Sequence, residues 1–395
     1  MTRKKSLKNK KKIAFVASGG AVKAACFHMG VCLALEEKGF SFKGGTLQSP
    51  KKLENAHYPI DIYVGSSAGS VLTSLIAQGY TLSEIVDSFM HRKKKSSKLS
   101  FSYMNLFSIA RPQIYKNIKK WFSSKKVANG TIEAFFKNFI TLNSPLTTEG
   151  IEKYLRTKAL KTNKFQDLCV ELYIVATKLD HSAKTIFGPR SLTEGGYCAK
   201  HHCDYNTITP ISIASAASAS LPPFYQPYPV KKKKKIIYYT DGEIKATLST
   251  HVAKDAGADL IIASYTHQPY HYTKSIGSLI DYGMPSIMIQ SVYQAIEQKI
   301  QTSRRIYKDK GFVLDTVSQF FKKNHLPEDK RKLLCDQLSQ TLDYNENRDY
   351  IYIHPEPKDH QLFFGDHFNL SPKIMEQTVK SGFKAAIRVL KDYSF

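Results

Sequence analysis

The chain has 395 residues, 42% of them apolar and 12% aromatic, enough to fill the core of one large α/β domain or two ordinary ones. No run reaches the 18 or so consecutive apolar residues of a membrane span, and six dispersed cysteines in a chain with a real core argue against a disulfide scaffold and for a reducing compartment. The 58 Lys and Arg against 33 Asp and Glu leave a net charge of +25, which implies attraction to a polyanionic surface, nucleic acid or anionic lipid.

Residues 1–12 form a basic arm, MTRKKSLKNKKK, and IAFVASGGAV follows. With Lys23-Ala24-Ala25-Cys26 this opening imitates an export signal, but Gly19-Gly20 interrupts the apolar run and Lys23 stands where an apolar residue belongs. The segment is therefore expected to be structure: a strand from Ile13 to Ala17, a loop at Ser18-Gly19-Gly20, and a helix with Ala24, Phe27, Val31, Cys32 and Leu35 on one face and Gly39 as its stop. A dinucleotide loop needs Gly-x-Gly-x-x-Gly, and here Ala21 and Ala24 follow the glycine pair, so nucleotide binding is not expected.

Ile60 to Val64 form a short β-branched and aromatic strand just after Pro59. GSSAGS follows, Gly65 to Ser70, and then Val71, Leu72, Leu75 and Ile76 recur at helical spacing up to Gly79. A Gly-x-Ser-x-Gly pattern occurs by chance and suits a plain tight turn. Between a strand and a helix, however, it is the setting in which an elbow exposes a serine hydroxyl, here that of Ser67, beside helix N-terminal amides.

Thr81-Leu82-Ser83-Glu84 is a capping box for the next helix. From His91 to Lys126 eleven Lys or Arg and no acid are interleaved with Phe101, Tyr103, Phe107, Tyr115, Trp121 and Phe122. This insert suits stacking on single-stranded nucleic acid, a lipid headgroup layer, or a helical segment with its aromatics facing the core. Cys198, His201, His202 and Cys203 crowd together, but no second pair stands at zinc-finger spacing, so no metal is expected. ELYIVAT, from Glu171 to Thr177, is a strand and ISIASAASAS, from Ile211 to Ser220, a helix of small residues. The lysine run from Lys231 to Lys235 leads into a strand ending at Asp241-Gly242. Helices near Ile287 to Ile306, Glu328 to Leu342 and Pro372 to Asp392, and a strand from Tyr350 to His354, complete the chain. Alternating strands and helices imply a mainly parallel sheet with right-handed crossovers, whose carboxyl edge would carry both Ser67 and Asp241.

A glycine loop after the first strand, an elbow serine and a later Asp-Gly together resemble the patatin-like phospholipase family. The matching stretches are Ser18-Gly19-Gly20-Ala21-Val22-Lys23-Ala24, Gly65-Ser66-Ser67-Ala68-Gly69 and Asp241-Gly242. GVCLALEEKGF, ELYIVATKLD, SIASAASASLPPFY and HVAKDAGADLIIAS follow in the family's order, so the likeness runs from Ile13 to about Ser264. Three positions depart from it: Ala21 and Ala24 replace glycines, and Glu243 stands where a small residue is common.

The resemblance implies an α/β, three-layer fold with a central, mainly parallel sheet flanked by helices. It implies a Ser67–Asp241 dyad without histidine, an oxyanion hole from the amides of Gly19, Gly20 and Ala21, and no metal or cofactor. An alanine at position 21 can offer its amide provided its φ is negative. Lys23, Ser66 and Gly242 are assigned to the substrate side. The expected activity is phospholipase A-type hydrolysis of membrane (lyso)phospholipids, with residues 13–395 as one domain extended by helices from about 275. The basic segments would then meet an anionic phospholipid surface rather than nucleic acid, from the cytoplasm or after export without a cleaved signal. Two rivals are a Ser-Asp-His esterase using His251 or His354 and an inactive lipid- or nucleic-acid-binding protein on the same scaffold.

Overall fold

The computed structural model describes residues 5–53, 57–90, 99, 108–109, 144, 146–181, 183–192, 203–222, 224–232, 235–245, 247–274, 276–356, 359, 362 and 371–395. Nearly all of the basic insert at 91–126, and Cys198, His201 and His202, lie outside them; Cys203 sits on a strand, and no group of potential metal ligands forms among the described residues.

In chain order the principal elements are β1 (Ile13–Ala17), α1 (Ala21–Glu37), β2 (Phe40–Phe42), β3 (Tyr58–Gly65), α2 (Ala68–Ala77), α3 (Leu82–Phe89), α4 (Glu149–Tyr154), β4 (Glu171–Lys178), β5 (Lys184–Phe187) and β6 (Cys203–Asn206). Then come α5 (Ile211–Ser218), β7 (Tyr228–Lys232), β8 (Lys235–Asp241), α6 (Thr250–Asp255), β9 (Leu260–Ser264), α7 (Gly283–Lys323), α8 (Glu328–Leu342), β10 (Asp349–Ile353) and α9 (Pro372–Leu390).

One ten-stranded sheet runs β6-β5-β4-β3-β1-β9-β10, with β8 also on β4, β7 on β8, and β2 on the start of β3. The run from β4 through β3, β1 and β9 to β10 is parallel. Successive residues of these strands face opposite ways, as the two-residue repeat of a strand requires. Phe15, Ala17, Ile262 and Ile351 meet α1, α2, α5 and α9 on one side. Val16, Val64, Ile261 and Ala263 meet α6 and α7 on the other. The result is the expected helix–sheet–helix sandwich with two cores. Among the described residues no helix is long and apolar enough to cross a membrane.

Two features position the site. First, β8 runs antiparallel to β4, so Asp241 arrives at the site from the direction opposite to Ser67. Gly65 pairs with Ile174 and Asp241 with Ala176, so β3 and β8 share one flank of β4 and meet almost head to head. Second, α1 is clamped by α9. A side chain at Gly30 would strike the Val379 carbonyl, and one at Gly382 the Phe27 carbonyl, so the two backbones touch where α1 and α9 cross. The basic arm is folded back as well: Lys5–Ser6 pairs with Tyr393–Ser394, Leu7 is buried, and Lys10 forms an ion pair with Asp349.

Candidate active site

Ser67 sits at the turn from β3 into α2 with φ 52° and ψ −125°, a conformation costly for any residue with a side chain. Hydrogen bonds hold it there. The Ser67 N–H donates to Ser218 Oγ at 2.8 Å, and that hydroxyl donates in turn to the Val175 carbonyl at 2.6 Å. Ser70 Oγ donates to the Ser67 carbonyl at 2.6 Å, and the Ser66 N–H reaches the Ala17 carbonyl at 3.1 Å. The elbow is therefore tied to β1, β4 and α5 together. The small residues of α5, legible only as an alanine-serine helix, let that helix approach closely enough for Ser218 to act.

The Ser67 hydroxyl lies close enough to the Asp241 carboxylate to favour its charged form. Both side chains are buried, at 4% and 1% exposure. Burial pushes Asp241 up to about 6, against the hydrogen bond from the Glu243 amide and the nearby Ser67 hydroxyl, which pull it down. The Glu243 N–H donates to Asp241 Oδ1 at 2.8 Å, which orients the carboxylate. Neither histidine of the rival triad is found here: His251 Nε2 lies 2.8 Å from Lys184 Nζ, and His354 Nδ1 lies 2.7 Å from Gln268 Nε2.

The glycine loop approaches Ser67 closely, since a Cβ on Gly19 would stand 2.8 Å from the Ser67 Cβ. Gly20 has φ 125° and opens α1. Ala21 has φ 57°, so the negative φ expected from the sequence is not adopted; the left-handed conformation is taken by an alanine at a cost of about 1–2 kcal/mol. The amides of Gly20 and Ala21 nevertheless meet no acceptor among the described residues. The amide of Gly19 does: it donates to Glu243 Oε1 at 3.2 Å.

His28, missed in the sequence, fixes this loop from behind. Fully buried on α1, it places Nε2 3.0 Å from the Ser18 carbonyl and Nδ1 2.6 Å from Ser264 Oγ. The carbonyl can only accept, so Nε2 carries the proton and Nδ1 accepts from the serine. Burial lowers the imidazole to about 4. Lys23 is buried rather than solvated, the Ser66 hydroxyl lies near the Glu243 carboxyl, and Gly242 packs beneath the Val175 carbonyl. None of these three lines the openings described next.

Two apolar cavities flank the loop, sharing Ala21 and Leu221. A narrow slot of about 60 Å³ opens on Ser67 between Val22, Val71, Phe89 and Tyr225. A larger one of about 380 Å³ lies between Phe224, Ile244 and the α7 side chains Met288, Val292 and Ile296. Tyr293 of α7 is buried near enough to Asp241 for the carboxylate charge, after burial, to push the phenol up.

A hydroxyl on a strained strand-to-helix elbow thus lies beside a buried aspartate and the N-terminal amides of α1, on a three-layer α/β scaffold. The family model described as Patatin-like phospholipase matches residues 15–254, more than half of the chain. The chain belongs to that family, whose general activity is hydrolysis of lipid acyl esters. A comparison with curated proteins finds no match. Among solved structures the chain is similar to VipD from Legionella pneumophila, at 14% identity and a TM-score of 0.37, over 98% of this chain and 68% of that one. The elements α7 to α9 and β10 lie beyond the matched residues.

Proposed function

We propose that the protein is a phospholipase A-type acyl hydrolase that cleaves fatty-acyl esters of membrane phospholipids or lysophospholipids through Ser67 and Asp241. The observation that carries this reading is the hydroxyl of the strained Ser67 set beside the buried Asp241 carboxylate. A carboxylate raised to about 6 is a stronger base than a solvated one and remains ionised at neutral pH. Ser67 Oγ attacks the ester carbonyl as Asp241 takes its proton. The oxyanion forms beside the amides of Gly20 and Ala21, donors of the kind whose single loss costs about 3–4 kcal/mol elsewhere. Asp241 returns the proton to the leaving lysolipid or glycerol oxygen, then takes one from the water that releases the fatty acid.

The surroundings favour a lipid. Both cavities are apolar, and Tyr282 through Ile296 hold no charged side chain, while Ile280, Tyr282, Met284, Met288 and Val292 stand exposed there. The net charge of +25 would draw this surface to anionic bilayers. The test is fatty-acid release from anionic liposomes in excess EDTA. Wild type should be active, Ser67→Ala and Asp241→Asn inactive, and His251→Ala and His354→Ala only modestly reduced. Release that survives both dyad substitutions would overturn the proposal.

A further inference from the structure

Glu243, two residues after Asp241, is 2% exposed. Its Oε1 accepts from the Gly19 N–H at 3.2 Å and its Oε2 from the Leu248 N–H at 3.0 Å, and the Ser66 hydroxyl lies near enough to favour its charged form. Among the described residues no cation pairs with it, and the charged group that faces it is Asp241, to which its own amide donates. A buried carboxyl beside a second one, without a counter-charge, is costly. A carboxyl oxygen on a loop amide is also what a reacting ester would place there. A Cβ added at Gly19 would stand 3.2 Å from Glu243 Cγ and 3.4 Å from Ser67 Oγ, so the carboxyl and the nucleophile flank the same residue of the loop.

On the reading of the site as a serine hydrolase, we propose that Glu243 is an internal ligand of the glycine loop: it occupies the Gly19 amide in a resting form, and the substrate carbonyl gains that third donor only when Glu243 withdraws. The segment it belongs to is placed to respond to lipid. The next residue, Ile244, lines the larger cavity, and its carbonyl accepts from Lys299 Nζ of α7 at 2.9 Å. An acyl chain entering between Ile244 and the α7 side chains Met288, Val292 and Ile296 presses on that connection and not on the Ser67–Asp241 pair. The departure from a small residue after Asp-Gly is thereby given a use: a glycine or alanine at 243 would leave Gly19 open at all times.

A purely structural role for Glu243, shaping the turn to Leu248 (φ 48°), makes the opposite prediction for its removal. The experiment is the rate of Ser67 labelling by a fluorophosphonate, in which Ser67 Oγ bonds to phosphorus as fluoride leaves. It is measured on full-length wild type, Glu243→Ala, Glu243→Gln and Ser67→Ala, with the melting temperature of each. Glu243→Ala should label at least about tenfold faster, toward the hundredfold or more that one oxyanion donor is worth, while melting no higher than wild type. Glu243→Gln, which keeps an acceptor for one of the two amides, should fall between. Labelling and stability that drop together, or an unchanged rate in folded Glu243→Ala, would overturn this inference and leave the dyad standing. No labelling of any folded variant would overturn the dyad, and the inference with it.

Discussion

Replacing His28 with glutamine should flatten the acid limb of the stability curve. The imidazole titrates near 6.5 in an unfolded chain and near 4 in the fold, because burial disfavours its charged form. Between those two values the unfolded chain binds a proton that the folded one refuses. Stability is therefore undiminished above about 6.5 and falls as the pH drops toward 4. At about 1.4 kcal/mol for each pH unit between the two values, the loss is about 3.5 kcal/mol. Asp241, raised to about 6, and Glu243, raised to about 8 by burial and by Asp241, act in the opposite sense, since each holds its proton more tightly in the fold. The difference between wild type and His28→Gln isolates the histidine. Urea denaturation at half-unit steps from pH 7.5 to 4 should show wild type the more stable at neutral pH, by the value of the bonds to Ser18 and Ser264, and the two curves converging as the pH falls. A difference that is level across this range would refute the buried neutral imidazole, and with it the tautomer that holds the loop.

Three further outcomes are expected. Ser218→Ala leaves the Ser67 N–H and the Val175 carbonyl without their partner, so unfolding free energy should fall by about 2–4 kcal/mol and Ser67 labelling should slow; a loss under about 0.5 kcal/mol would show that the elbow does not rely on it. Ala21→Gly removes a left-handed strain of about 1–2 kcal/mol but adds about 0.4–1 kcal/mol of unfolded-chain entropy, for a net gain of about 0.5–1 kcal/mol read as a rise in melting temperature. On the proposed mechanism Asp241 must be ionised to accept the Ser67 proton, so kcat/KM should be level above pH 7 and decline as the pH passes down through about 6; a pH-rate profile that rises with acidity would assign the base elsewhere.

The parts of this molecule that depend on neighbours in sequence were readable from it. The strand, elbow and helix around Ser67 follow from a β-branched run, a small-residue turn and a helical stripe, and the capping box at Thr81 and Glu84 forms as its spacing requires. The strand into Asp241 was readable, but its antiparallel direction was not, because direction is set by what β8 pairs with. β5 and β6 are four residues each, too short and polar to stand out. The helix expected from Ile287 to Ile306 is α7, which runs from Gly283 to Lys323 since nothing after Ile306 stops it: Pro285 falls in its first turn, where a proline is tolerated, and Gly311 alone does not break it. His28, Ser218 and Glu243 act through contacts made only when distant elements meet. Of these, Glu243 alone left a trace, as an acid where the family has a small residue.

The clasp of α1 by α9 ties the glycine loop to a helix that is made late. The glycine loop is the leading end of α1, and α1 is seated by Gly30 and Gly382 against a helix that leaves the ribosome long after it. During synthesis the elbow serine emerges early and Asp241 later, yet the loop that must face them has no seat until α9 has been made. On the proposed function, a nascent chain, or one cut ahead of α9, is expected to stay inactive until that seat is made.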